Sequence, residues 1–275
     1  MASREEWVGR TGLEWSRRGQ ALDLLLGPAD AAGQQALSAV AGERIIDLGC
    51  GAGASIEALS TAVGPSGHVM GIDVSPDLLR QAQDRMSETD NIQIVEGDAQ
   101  NYVFDQNFDA LYSRFGSMFF DDPAAAFRNL ASALKPGGRA VFVVWREPAR
   151  NQWASVPMTF VVQGSAKPGS QPGPGPFAWA DPRVFQPLLE GAGFKDVVHK
   201  TFEFLPEISE GDHPDPVARA VRFMMKIGPL AARLRGATET AKEEAAAFLQ
   251  RRLTRHVHDD AVRLLASAWI IEARA

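Results

Sequence analysis

Between Arg44 and Arg146 the chain repeats one unit: a short apolar run rich in Val, Ile and Leu, a turn, then a stretch with helical periodicity. Strand-like and helix-like patterns in strict alternation read as βαβ units, which build a parallel sheet. Ile45-Ile46-Asp47-Leu48 predicts the first strand. Gly49-Cys50-Gly51-Ala52-Gly53 is a glycine-rich turn into a helix carrying Ile56, Leu59 and Val63, stopped by Gly64-Pro65-Ser66-Gly67. His68 to Ile72 predicts a second strand, followed by a helix with Ser75 as N-cap, Pro76 at its first position and Leu78, Leu79, Ala82 and Met86 inward. Ile92 to Val95 and Asp109 to Tyr112 are the next strands. Asp122-Pro123 opens a helix with Phe127, Leu130, Ala131 and Leu134 on one face, ended by Lys135-Pro136-Gly137-Gly138. Ala140 to Trp145 is apolar throughout, as a central strand buried on both faces requires.

Beyond Arg146 the alternation breaks. Residues 164–176 are mostly Pro, Gly and Ser, and a loop of that length is a lid or a linker. The pattern resumes with a helix opened by Asp181-Pro182 and carrying Val184, Phe185, Leu188 and Leu189, then a strand from Val197 to Leu205, so the loop reads as an insertion. Residues 214–265 look helical, with Val217, Val221 and Met224 on one face and a capping box at Thr240-x-x-Glu243. Trp269 to Ala273 is strand-like and can return to the sheet, which makes 206–265 a second insertion. The N-terminal 40 residues, with Trp7, Trp15, Leu22, Leu25 and Leu26, look helical. The expectation is a three-layer αβα Rossmann-like sandwich with a seven-stranded, mostly parallel sheet. One domain, 1–275, holds N-terminal helices (1–40), a cofactor-binding core (41–146), cap insertions (147–180 and 206–265) and the rest of the sheet (181–205 and 266–275).

The net charge is −6, from 28 basic and 34 acidic residues, with no basic block of the kind that binds nucleic acid or anionic membranes. A single cysteine, Cys50, excludes an intramolecular disulfide and a Cys-based zinc site. The start of the sequence leads into no apolar targeting segment, and no apolar run is long enough to span a bilayer. A cytoplasmic protein with a small-molecule partner is expected, with no nucleic acid or membrane partner and a homodimer left open.

The chemistry concentrates in Asp47-Leu48-Gly49-Cys50-Gly51-Ala52-Gly53. Glycines there let the backbone turn tightly and allow a ligand closer than a Cβ would. Gly49, Gly51 and Ala54 also satisfy the relaxed dinucleotide fingerprint, so a nicotinamide enzyme stays in play. Asp73, at the end of the second strand, is placed to accept both hydroxyls of a ribose. Asp98, after the third strand, can accept from an adenine amine while Ala99 leaves room for the ring. Asp47 suits a sulfonium-bearing amino acid and would repel a pyrophosphate.

These pieces resemble the class I S-adenosylmethionine-dependent methyltransferases, in particular the ubiquinone/menaquinone-methyltransferase-like group that acts on small molecules. The resemblance rests on Arg44 to Gly53, Gly71-Ile72-Asp73-Val74-Ser75, Gly97-Asp98-Ala99 and Leu134 to Arg139, in the family's order and spacing, and covers residues 40–146. It implies that Gly49, Gly51 and Gly53 run beneath the methionine moiety, with Cys50 and Val74 beside it, that Asp73 binds the ribose and that Asp98 with Ala99 binds the adenine. It also implies that Ser113 and Arg114 close over the cofactor, and that Trp15, with Trp7, crosses the site. The alternative for both tryptophans is that they cover apolar sheet surface. S-Adenosyl-L-methionine would be the cofactor and S-adenosyl-L-homocysteine the product.

Two departures narrow the acceptor. Ser113-Arg114-Phe115-Gly116 stands where nucleobase and amide methyltransferases carry an Asn/Asp-Pro-Pro-aromatic motif, and where metal-dependent catechol-type enzymes place an Asp. Metal-independent O-methylation of a small molecule by in-line displacement is expected first, with C- or N-methylation next. An NAD(P)-dependent oxidoreductase and a non-catalytic adenosyl-binding protein are the rivals. Among the histidines outside the core, His213, beside Asp212 at the start of the helical insertion, is the preferred general base. Trp153, Phe177, Trp179 and Met224 in the insertions would line a flat, apolar acceptor site.

Overall fold

A computed structural model describes residues 4–105, 107–160 and 173–275. Most of the Pro/Gly/Ser loop at 164–176 lies outside the described residues; where it re-enters, the Gly175 N–H donates to the Met118 carbonyl at 2.9 Å. In chain order the elements are α1 (Arg4–Val8), α2 (Arg10–Ser16), α3 (Gly19–Leu37), β1 (Arg44–Leu48), α4 (Ala54–Val63), β2 (His68–Asp73) and α5 (Pro76–Arg85). Next come β3 (Ile92–Glu96), β4 (Phe108–Arg114), α6 (Pro123–Ala133), β5 (Leu134–Trp145), α7 (Gln152–Met158), α8 (Pro182–Gly191), β6 (Lys195–Phe204) and β7 (Glu207–Ile208). The chain finishes with α9 (Pro216–Met224), α10 (Pro229–Arg233), α11 (Glu239–Leu253), β8 (Val257–His258), β9 (Ala261–Arg263) and β10 (Ala266–Arg274).

The expected seven-stranded sheet is present, in the order β3-β2-β1-β4-β5-β10-β6. Its first five strands run parallel, and β10 inserts antiparallel between β5 and β6. The strand order reverses between β1 and β4, and in open α/β sheets the crevice beyond the carboxyl ends at that reversal is where ligands bind. α3 buries Leu22, Leu25, Leu26, Ala29, Gly33 and Leu37 along one stripe. A Cβ on Gly33 would lie 2.5 Å from Val143 Cγ2 and 2.8 Å from Tyr112 Oη, so this glycine sets how closely the helix approaches the sheet.

Several boundaries differ from the expectation. The segment 206–265 is not purely helical: β7, β9 and β8 form a separate antiparallel sheet, in strands too short to display an alternation. The N-cap of α11 is Thr238, whose Oγ1 accepts from the Ala241 N–H, so Thr240 and Glu243 lie inside the helix and form no capping box. β5 starts at Leu134 and carries Lys135 to Gly138 as an irregularity between the Phe108–Leu134 and Ala110–Arg139 pairings. Ser75 holds the N-cap position of α5, but its hydroxyl makes no capping bond and is buried without a partner. β4 runs on to Arg114, which places Ser113 within the strand and not after it.

Candidate functional site

The carboxyl ends of β1, β2, β3 and β4 open into a cavity of about 1120 Å³, mouth included, roofed by α1, α2 and the start of α3. Its floor is the glycine turn. Gly49, Gly51 and Gly53 all have positive φ (67°, 54° and 84°), a region costly to any residue with a Cβ. A Cβ on Gly49 would also come within 2.7 Å of Gly116 Cα, so this turn and the one after β4 press together backbone to backbone. Gly49, Cys50 and Gly51 line the cavity, whereas Gly53 faces away, against Ala82. Burial pushes the Cys50 thiol well up, leaving it a small apolar wall atom rather than a nucleophile.

Asp73 spans the floor. Its Oδ2 accepts from the Gly51 N–H and its Oδ1 from the Ser75 N–H, both at 2.9 Å. Burial raises its pKa, and the backbone donors of Ser75, Gly51 and Val74 pull the other way. Val74 lines the cavity beside it. At the far end Asp98 accepts from the Gln100 backbone N–H at 2.9 Å and pairs with Arg4 at 3.6 Å, and the small side chain of Ala99 is buried next to it. Trp15 and Trp7 both line the cavity, edge to face at 5.1 Å, and Trp7 packs at the same distance on Phe119. Leu22, Leu26, Phe115, Phe119 and Phe120 complete an apolar wall.

Asp47 is placed otherwise than expected. It is 1% exposed and lies behind the glycine turn rather than in the cavity lining. Its Oδ2 accepts from Ser55 Oγ at 2.6 Å, and its Oδ1 has no partner. Burial pushes its pKa up to about 7 against the opposing Ser55 bond. Ser113 is also corrected: its hydroxyl donates to the Leu48 carbonyl at 3.0 Å and accepts from the Ser117 N–H at 3.2 Å, so it ties β4 to β1 instead of facing a ligand. Arg114, the next residue, does line the cavity and pairs with Asp30 of α3 at 3.7 Å.

None of the four expected acceptor residues lines this cavity. The Trp153 ring stacks on Phe177 and its Nε1–H donates to Asn151. Trp179 is buried with its Nε1–H on the Ser117 carbonyl, and Met224 is buried in α9. These are interior residues of the cap. His213 is exposed, and its Nδ1 accepts from the Asp215 N–H at 3.1 Å, so it closes the turn before α9, away from the cavity. Asp30, Arg4, Phe119 and Phe120 went unread. The two phenylalanines follow a strand end and could have been flagged on that ground. Asp30 meets its partner Tyr112 from 82 positions away and carries no local signal.

A glycine cradle held at positive φ, acidic residues at the carboxyl end of β2 (Asp73) and just after β3 (Asp98), and an unpartnered carboxylate oxygen of Asp47 buried behind the cradle together fit a cationic adenosyl ligand. The fold and site thus define a Rossmann-like nucleoside-cofactor domain. Comparison with known proteins sharpens this. A family described as a methyltransferase domain matches residues 45–138. The chain is 39% identical over 108 residues to a demethylmenaquinone methyltransferase of Staphylococcus carnosus, spanning 39% of this chain and 45% of that enzyme. A second such enzyme, of Staphylococcus epidermidis, is 31% identical over 172 residues, spanning 58% of this chain and 71% of its own. In fold, the YcgJ protein of Bacillus subtilis superposes with a TM-score of 0.57 at 16% identity, covering 90% of this chain and 97% of that one. This chain belongs to the class I S-adenosylmethionine-dependent methyltransferases, on their quinone-methyltransferase-like side. The nicotinamide alternative falls with that membership.

Proposed function

We propose that this chain transfers the methyl group of S-adenosylmethionine to an oxygen of a small, flat, apolar acceptor. The observation that carries the reading is the composition of the cavity: a polar floor of backbone N–H groups and carboxylates faces an apolar wall of Trp7, Trp15, Leu22, Leu26, Phe115 and Phe119. In this reading Asp73 accepts from the ribose hydroxyls, Asp98 and Ala99 receive the adenine, and Val74, Cys50, Arg114 and Trp15 complete the cofactor contacts. The bound cofactor supplies a methyl group activated by sulfonium charge. The apolar wall excludes water and holds the acceptor in line, which is where such a transfer gains most of its rate.

Among the described residues the charged side chains of the lining are Arg4, Asp23, Asp73, Asp98, Arg114 and Asp121, with no imidazole. An acceptor that must lose a proton therefore gives it to a carboxylate or to water, and His213 takes no part. Among the described residues no helix is long and apolar enough to cross a membrane, which fits a small acceptor delivered from solution. A second reading, methylation of a quinone-type ring carbon, is favoured by the names of the staphylococcal relatives. A screen of phenols and of demethylated naphthoquinols, read as S-adenosylhomocysteine release with mass analysis of the product, tests both. O-methylated product supports the first reading, ring-methylated product the second, and turnover of neither class overturns both.

A further inference from the structure

Away from the cofactor cavity the described residues form a further hollow, an open groove of about 510 Å³, mouth included, between α7 and the end of α11. Ser155 and Val156 of α7, with Thr159 just beyond it, line one wall, and Arg252, Arg255 and His256 line the other. The groove and the cofactor cavity share no lining residue. No carboxylate answers these cations. Among the described residues neither the Arg252 nor the Arg255 side chain has an ion pair or a hydrogen bond. The positions one helical turn earlier are Phe248 and Arg251, so neither arginine has an acidic i, i+4 partner. The residues not described, 1–3, 106 and 161–172, include no Asp or Glu.

The cations are held, not merely present. The Arg252 guanidinium lies over the Phe248 ring, 5.5 Å from its centroid, and Phe248 packs on Phe160 at 5.4 Å, which joins the two walls. His256 is half-buried beside Arg255. Burial, and then the positive charges of Arg255 and His258, hold its imidazole below its ordinary value. Like charges gathered in this way repel one another, and an anion among them relieves the repulsion. Across the groove Thr159 Oγ1 spends its proton on the Val156 carbonyl at 2.7 Å, whereas the Ser155 hydroxyl has no partner among the described residues. The partial negative charge at the end of α11 accounts for Arg252 in its last turn, but Arg255 and His256 follow the helix, where that field has fallen off.

We propose that this groove binds the phosphate group of a small, free ligand, a phosphate monoester or a diphosphate, through Arg252, Arg255 and the Ser155 hydroxyl. Two guanidinium groups match a dianion in charge, and their forked N–H donors match phosphate oxygens in geometry. A nucleic-acid strand calls for a longer basic track than one helix end supplies. The site is independent of the methyl-transfer reading.

The test is calorimetric titration of the full chain with inorganic phosphate, inorganic pyrophosphate and phenyl phosphate, with phosphatidic acid vesicles as a separate arm. At least one of the free phosphates should bind with a Kd of about 1 mM or tighter. Arg252→Gln and Arg255→Gln should each weaken it about tenfold, and Ser155→Ala about threefold, while the double arginine variant should abolish binding. Both arginines are exposed, so the variants should keep the fold, which circular dichroism checks. S-Adenosylhomocysteine should bind the variants as it binds the native chain. No binding of any free phosphate, or binding that the double variant retains, overturns the proposal. Attachment to vesicles without binding of free phosphates overturns it too, and makes the arginines a membrane contact. A native chain that binds phosphates but no adenosyl ligand overturns the methyl-transfer reading and leaves this one standing.

Discussion

The floor of the cavity and the interior of the cap are both rich in side chains able to do chemistry, yet they differ in what those side chains still have to offer. In the cap, the aromatic and guanidinium groups named here bond to groups of the cap or the sheet. Trp153 donates to Asn151, Trp179 to the Ser117 carbonyl, and Arg219 to Ser209 Oγ and the carbonyls of His213 and Asp260. Around the cavity, capacity is left over: Arg114 of the lining holds one loose ion pair, Trp7 Nε1 in the roof has no partner, and Asp47 Oδ1, buried behind the glycine turn, has none. Groups that a fold leaves unsatisfied at a concave surface mark a ligand site more reliably than aromatic or histidine content.

Breaking the cap should therefore cost stability without touching the cofactor. Met224→Ala empties a buried position in α9 and should lower stability by about 2–5 kcal/mol in denaturant titration, with adenosyl affinity unchanged. An equal loss of affinity would join the two regions into one site. Breaking the floor should do the reverse. Asp73→Ala, which on the proposed cofactor reading forfeits two charge-assisted bonds to ribose hydroxyls, should weaken S-adenosylhomocysteine by about a hundredfold or more in calorimetry. Asp98→Ala, with a single bond to the adenine amine at stake on the same proposed reading, should cost about tenfold.

The legibility of the two regions differs for a physical reason. The floor is built by segments contiguous in sequence: a strand, its turn and the last residue of the next strand. Asp73, Asp98 and the glycines could thus be placed from pattern alone. Even there the pattern could not tell which way a side chain faces, and Asp47 and Ser113 turned inward. The cap is built by contacts between distant segments, as when Arg219 of α9 reaches Asp260, and its aromatic content reads equally well as lining or as core. The three-stranded sheet at its base escaped because its strands are two or three residues long. Asp30 escaped because nothing near it in the chain points to Tyr112 or Arg114.

Asp47 sharpens the comparison through pH. Its folded pKa is raised from 3.8 to about 7, so its protonated form is the one the fold favours. The stability it contributes is complete below the unfolded pKa and is lost as pH rises through about 7. Asp47→Asn should flatten that part of the stability profile and leave the ligand-free protein more stable than native at about pH 8. A cationic ligand nearby favours the ionised form, so native affinity for S-adenosylhomocysteine should rise several-fold from about pH 6 to about pH 8, and the variant should lose that rise. A pH-independent affinity in the native chain would place the ligand's amine elsewhere. The smallest effect is expected at His213: its replacement by Ala should leave affinity and turnover as they are and shift stability by no more than about 0.5 kcal/mol.

The most direct measurement is calorimetric titration of the native protein with S-adenosylmethionine, S-adenosylhomocysteine and NADH, after mass spectrometry for any ligand carried through purification. Micromolar binding of both adenosyl ligands and none of NADH is the predicted result. Binding of NADH alone, or of no adenosyl ligand at all, would contradict it and assign the carboxylates of the floor to another purpose.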